Sequence, residues 1–130
     1  MIGAIEEVAL LDRPQVLIPL ATPKIVDFLA VYLPPRYFYC MNPDRAQLLS
    51  ISPTCYKMPA DFSQAHGRVS LQPNFDLAYL PPISIYWYIA REYVLPGGYL
   101  VGEMPESNPR FDRWVTSMGG YEGEGLVVQV

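Results

Sequence analysis

The stretch Val94–Met104, VLPGGYLVGEM, decides how the chain reads. Pro96 fixes one backbone angle, while Gly97 and Gly98 permit positive φ. Such a turn lets a chain leave a helix and enter a strand at once. The run YLVGEM after it has the composition of a strand. The segment before it, SIYWYIAREYV, places Ile85, Tyr88, Ile89 and Glu92 or Tyr93 on one side of a helix. A helix, a tight turn and a strand are therefore expected here, and the flanking sequence can be searched for the same alternation.

Helix starts are easy to find on both sides. Thr22-Pro23, Asn42-Pro43 and Asn108-Pro109 each pair an N-cap residue with proline at the first helical position. After Thr22-Pro23, the residues Ile25, Phe28, Leu29 and Tyr32 recur at helical spacing until Pro34-Pro35 stop them. After Asn42-Pro43, DRAQLLS reads as a short helix that ends near Pro53. After Asn108-Pro109, the residues Phe111, Trp114, Val115 and Met118 form one apolar face, and Gly119-Gly120 supply the stop. Strands are expected in the gaps, over 15–20, 36–41, 55–58, 75–80, 99–104 and 125–130. Several of these runs are apolar without alternation, as in strands covered on both faces. The expected fold is an α/β three-layer sandwich in one domain over 1–130. Its sheet is mainly parallel, with the strand order broken near the first strand.

Composition narrows the function classes. The chain has 130 residues, 51% of them hydrophobic, enough for a real core. A net charge of −4 argues against a broad nucleic-acid-binding face. No apolar run reaches membrane-spanning length. Cys40 and Cys55 make no metal or redox motif. The first residues, MIGAIEEVALLDRPQ, carry acids where a secretory signal needs Lys or Arg. A cytoplasmic protein with free thiols is expected, and a Cys40–Cys55 disulfide stays open.

FDLAYL over 75–80, a helix, and then VLPGGYLVGEM together resemble the second half of a class I S-adenosylmethionine-dependent methyltransferase. In that family a fourth strand beginning Phe-Asp-Leu leads through a helix to Leu-x-Pro-Gly-Gly and the fifth strand. VLIPLATPKIVDFL then takes the place of the first strand, its loop and first helix. RYFYCMNPDRAQLL resembles the second strand and the turn after it, and YKMPADF the third strand with its Ala-Asp pair. The resemblance runs from about Gln15 to Met104. It implies a Rossmann-like methyltransferase-type sheet. It also implies S-adenosylmethionine as the cofactor to consider, with Pro19, Ala21, Asn42, Asp61 and Asp76 as candidate cofactor-binding residues.

Two departures bear on that cofactor. The loop after the family's first strand is glycine-rich, so that backbone can approach the ligand. Here it reads Pro19-Leu20-Ala21-Thr22-Pro23. The family ends its second strand with an acid that binds the ribose hydroxyls, and here Asn42 holds that place. On these grounds S-adenosylmethionine is expected to bind weakly or not at all.

Individual residues carry two readings each. Asn42 can bond a ribose or cap its helix, and Thr22 caps in the same way. Asp61 can accept from an adenine amine, cap a turn or face water. Asp76 can line the site or brace the fourth strand. YLPPIS over 79–84 sits where amine-methylating members carry Asn/Asp-Pro-Pro-aromatic. Leu80 accepts no hydrogen bond, so Pro81-Pro82 reads as a rigid turn. His66 lies in a polar loop. Glu103 closes the fifth strand at the edge where ligands bind such sheets. Tyr86, Trp87 and Tyr88 cannot all share one helix face, so part of this cluster should reach the surface and meet a partner. No catalytic residue stands out.

Three functions follow. One is a methyltransferase-like binding, accessory or assembly subunit, with a protein partner or a homo-oligomer. The others are a small active methyltransferase, and a small virion or complex component.

Overall fold

The computed structural model describes residues Met1–Val130. A seven-stranded sheet runs in the order β3-β2-β1-β4-β5-β7-β6. The strands are β1 (Val16–Ile18), β2 (Phe38–Met41), β3 (Tyr56–Met58), β4 (Phe75–Leu80), β5 (Val94–Gly102), β6 (Tyr121–Gly123) and β7 (Gly125–Gln129). Strands β1 to β5 are mutually parallel, while β7 pairs antiparallel with both β5 and β6. The expected α/β class and mainly parallel sheet are present, with an antiparallel end that sequence did not foretell. The order turns back between β1 and β4, so the chain crosses from one half of the sheet to the other beside the first strand.

Side chains alternate between two cores. Val16, Ile18, Phe38, Cys40, Leu77, Tyr99, Val101 and Val127 face α1 (Ile2–Ala9), α2 (Pro23–Ala30) and α3 (Arg45–Leu49). Leu17, Met41, Ala78, Leu80, Leu100, Leu126 and Val128 face α4 (Ser84–Ala90) and α5 (Pro109–Ser117). A strand buried on both sides needs apolar residues at every position, which explains the unbroken apolar runs.

Two of the three Pro-linked helix starts are as expected. The Thr22 hydroxyl accepts from the Ile25 N–H at 3.3 Å. The Asn108 side chain accepts from the N–H groups of Arg110 and Phe111. The third differs: Asp44, not Asn42, caps α3, accepting from the Ala46 N–H at 3.0 Å. On α5, Phe111 and Val115 are buried on the sheet, with Trp114 and Met118 packed partly beside them.

The face assigned to α4 is corrected. Tyr86, Trp87 and Ala90 are its buried side, while Ile85 is exposed. Apolar residues ring this short helix, so spacing alone chooses no face. The Trp87 indole N–H fixes the choice by donating to the Pro81 carbonyl at 2.9 Å. That carbonyl also accepts from the Ile83 N–H, giving the rigid strand-to-helix turn expected of Pro81-Pro82.

Pro96-Gly97-Gly98 do not precede the fifth strand but lie within it. Phe75 pairs with Val94 and Leu77 with Tyr99, so the extra residues bulge out of β5. Gly97 has φ +88°, and its N–H donates to the Val130 carbonyl, tying the bulge to the end of β7.

Candidate functional site

In an open parallel sheet, ligands bind outside the carboxyl ends of the strands, where the order reverses. Here that edge is formed by the residues following Ile18, Met41, Met58, Leu80 and Gly102. It divides into two unlike regions.

Over β1, β2 and β3 the edge is laced shut. The Ala21 N–H donates to the Met41 carbonyl at 2.8 Å. The Asn42 side-chain amide donates back to the Ala21 carbonyl at 2.9 Å. The Asn42 backbone N–H reaches the Met58 carbonyl at 3.3 Å. The Asn42 side-chain oxygen is also used, accepting from the Asp44 N–H at 2.9 Å. Pro19 and Ala21 are buried, and Asn42 is 5% exposed. Asn42 is thus a strap between two loops, neither the helix cap nor a group facing outward.

Asp61 follows β3 and accepts from both the N–H and the hydroxyl of Ser63, at 2.9 and 2.7 Å. These bonds, helped by the Tyr86 hydroxyl and the charge on His66, hold its carboxyl below the usual range against the opposing effect of burial. Asp76 is at the other end of the sheet. It opens β4 and accepts from the Gln15 N–H at 2.8 Å, bracing the start of β1. Of the five candidates, Pro19, Ala21 and Asn42 come together, Asp61 lies on a neighbouring loop, and Asp76 lies at the opposite edge.

Over β1, β4 and β5 the same edge opens into a cavity of about 540 Å³. Leu20 and Thr22 come from the loop after β1, Lys24, Ile25 and Phe28 from α2, and Tyr79 to Pro82 from the end of β4. Glu103 lies just past β5, and Met1 completes the wall. The rings of Phe28 and Tyr79 meet edge to face, 6.1 Å apart at 61°. Burial, then the charge on Glu103, pushes the Tyr79 hydroxyl pKa up. Of these residues, sequence reading singled out Thr22 as a cap, the run Tyr79 to Pro82 as a rigid turn, and Glu103 at the ligand edge. Lys24 gave no signal and the Tyr79 ring none of its own, because one reads as an exposed helix charge and the other as a strand residue.

Sites elsewhere are weaker. Cys40 and Cys55 are both buried free thiols. Burial, with Cys55 beside it, pushes the Cys40 thiol up and leaves it a poor nucleophile. His66 is exposed. No group of His, Cys, Asp and Glu is placed to hold a metal ion, and no helix is long and apolar enough to cross a membrane. Tyr86 and Trp87 are buried, so only Tyr88 of the aromatic trio approaches the surface. It meets the half-buried Trp114 at a centroid distance of 5.0 Å.

No protein-family model matches the chain, and no curated protein matches it.

Proposed function

We propose that this chain is a methyltransferase-like binding or accessory subunit whose S-adenosylmethionine seat is closed by its own backbone. Support for the likeness comes from the run β3-β2-β1-β4-β5, which is the order of doubly wound nucleotide-binding sheets. Phe75-Asp76-Leu77 stand at the head of β4, as in the resemblance, whereas Pro96-Gly97-Gly98 lie inside β5 rather than ahead of it.

One observation carries the reading. Ala21 and Asn42 satisfy each other where the cofactor's amino-acid end and ribose would lie. A ligand there needs free N–H donors and a free acceptor. The Ala21 N–H is bonded to Met41, both ends of the Asn42 amide are bonded, and Pro19 and Pro23 have no N–H, which leaves only Leu20 and Thr22 with unbonded N–H groups in that loop. No buried side-chain nitrogen or oxygen in the chain lacks a partner, so none is left waiting for a ligand. These contacts fit S-adenosylmethionine poorly. Tyr88 and Trp114 supply an aromatic surface for a protein partner or a second copy.

A second reading, a small active methyltransferase with an unusual cofactor loop, is favoured by the cavity over β1, β4 and β5. Thermal-shift titration separates the two. A ligand binding only the native state raises the melting temperature by mass action. The accessory reading expects no shift with S-adenosylmethionine or its demethylated product. A saturable shift with either favours the enzyme.

A further inference from the structure

We infer that the cavity over β1, β4 and β5 is a binding site for a free α-amino acid with an apolar or aromatic side chain. This rests on reading that edge of the sheet as a binding site, and it adds the class of ligand. Its volume of about 540 Å³ falls within the roughly 300–1,000 Å³ that small-molecule sites occupy.

The charges lining the cavity choose the ligand. Lys24 stands on the first turn of α2 and Glu103 just beyond β5, and both line the same space. The one ion pair in the chain joins Asp12 and Arg13, so Lys24 and Glu103 pair neither with each other nor with any other side chain. A simple cation entering here meets the Lys24 ammonium, and a simple anion meets the Glu103 carboxylate. A neutral apolar molecule leaves both unused. A free α-amino acid offers an ammonium to Glu103 and a carboxylate to Lys24 from one carbon. Charge-assisted hydrogen bonds of that kind are the strong ones.

The third substituent of that carbon then points at the apolar wall. Phe28 and Tyr79 present rings at 61° to each other, and Leu80 and Pro81 lie beside them. Rings so inclined take a flat or branched apolar group from two sides. Neither Lys24 nor Glu103 helps to close the edge at Ala21 and Asn42, so the site stands whether or not a cofactor binds there.

The test is calorimetric titration of the full chain with L-phenylalanine and L-methionine. Saturable heat is expected with at least one of them. N-acetyl-L-phenylalanine, which lacks the ammonium, and L-phenylalanine amide, which lacks the carboxylate, are each expected to bind about tenfold to a hundredfold more weakly. Glu103→Gln and Lys24→Gln should each weaken the free amino acid by a similar factor. Glu103→Gln should add little to the loss already caused by N-acetylation. Both charges are exposed, so these variants keep the fold. No heat from either amino acid overturns the inference. So do blocked forms that bind as well as the free one, or choline binding more tightly, which would make the rings a cation site. S-adenosylmethionine binding that survives both substitutions contradicts the closed cofactor seat and leaves the amino-acid site standing.

Discussion

The side-chain amide of Asn42 donates to the backbone carbonyl of Ala21 across 2.9 Å, joining the loop after β1 to the end of β2. Through this bond the glycine-free loop Pro19–Pro23 and Asn42 become one structural feature. The loop without glycine supplies the carbonyl, and Asn42 at the end of β2 supplies the donor.

An acid in place of Asn42 should therefore damage the fold before it creates a site. Asn42→Asp removes the donor and turns a carboxylate toward the Ala21 carbonyl. A buried acceptor left without its donor costs roughly 1–3 kcal/mol. The new carboxyl is expected to have a raised pKa, because burial and a facing carbonyl disfavour its charge. Stability lost at pH 7 should therefore return as pH falls and the group protonates. Urea melts at pH 7 and pH 4 check this, and an Asn42→Asp protein as stable as the parent at pH 7 would contradict the strap.

A second long-range bond makes stability pH-dependent. The Tyr99 hydroxyl donates to Glu7 at 2.6 Å, linking β5 to α1. That bond, then burial and the Glu7 charge, pushes the Tyr99 pKa up from 10.0 to about 12. The folded state holds this proton more tightly than the unfolded chain does. The bond's contribution is fully present below about pH 10 and is lost as pH rises toward 12. Tyr99→Phe should cost about 1.5 kcal/mol at pH 7 and flatten that alkaline slope. An unchanged slope in the variant would place the loss elsewhere.

On α5 the cost of truncation should follow burial rather than size. Phe111 is fully buried between α4 and the sheet, so Phe111→Ala should cost roughly 3–5 kcal/mol. Trp114 is half-buried, and Trp114→Ala should cost about 1–2 kcal/mol despite the larger ring. Denaturant midpoints that reverse this order would mean that α5 presents another face.

Gly98 lies in the bulge of β5 where no side chain fits. A Cβ there would stand 2.7 Å from the Asp76 carbonyl and 2.6 Å from Val94 Cγ1. Val94 can move, but the β4 backbone cannot do so cheaply, so Gly98→Ala should destabilise by about 1–3 kcal/mol. A thermal midpoint within one degree of the parent would show that the bulge relaxes freely.

Much of the fold is readable from local chemistry. Thr22 and Asn108 announce their helices because each side chain bonds the N–H groups just after it. Phe75–Leu80 reads correctly because apolar residues facing both cores leave no other pattern. What escaped has no local signal. Helix α1 buries Ala4, Ile5 and Val8 but has no side-chain cap, and it rests on contacts such as Tyr99 that are far away in sequence. Strand β6 is wholly exposed, so nothing in Tyr121-Glu122-Gly123 alternates. Asn42 misleads because the donor it needs to be is set by Ala21, 21 residues earlier. The cavity was out of reach for the same reason. Lys24 and Glu103 come to line one cavity only in the folded sheet.

Calorimetric titration of the unmodified chain with S-adenosylmethionine tests the central claim most directly. With the Ala21 carbonyl and both ends of the Asn42 side chain already bonded, a ligand there competes with internal hydrogen bonds. Losing a charged acceptor typically costs a ligand about 1.5–3 kcal/mol, or roughly tenfold to a hundredfold in affinity. The account predicts no saturable heat at micromolar concentrations. A micromolar Kd would contradict it and make the active enzyme the better reading.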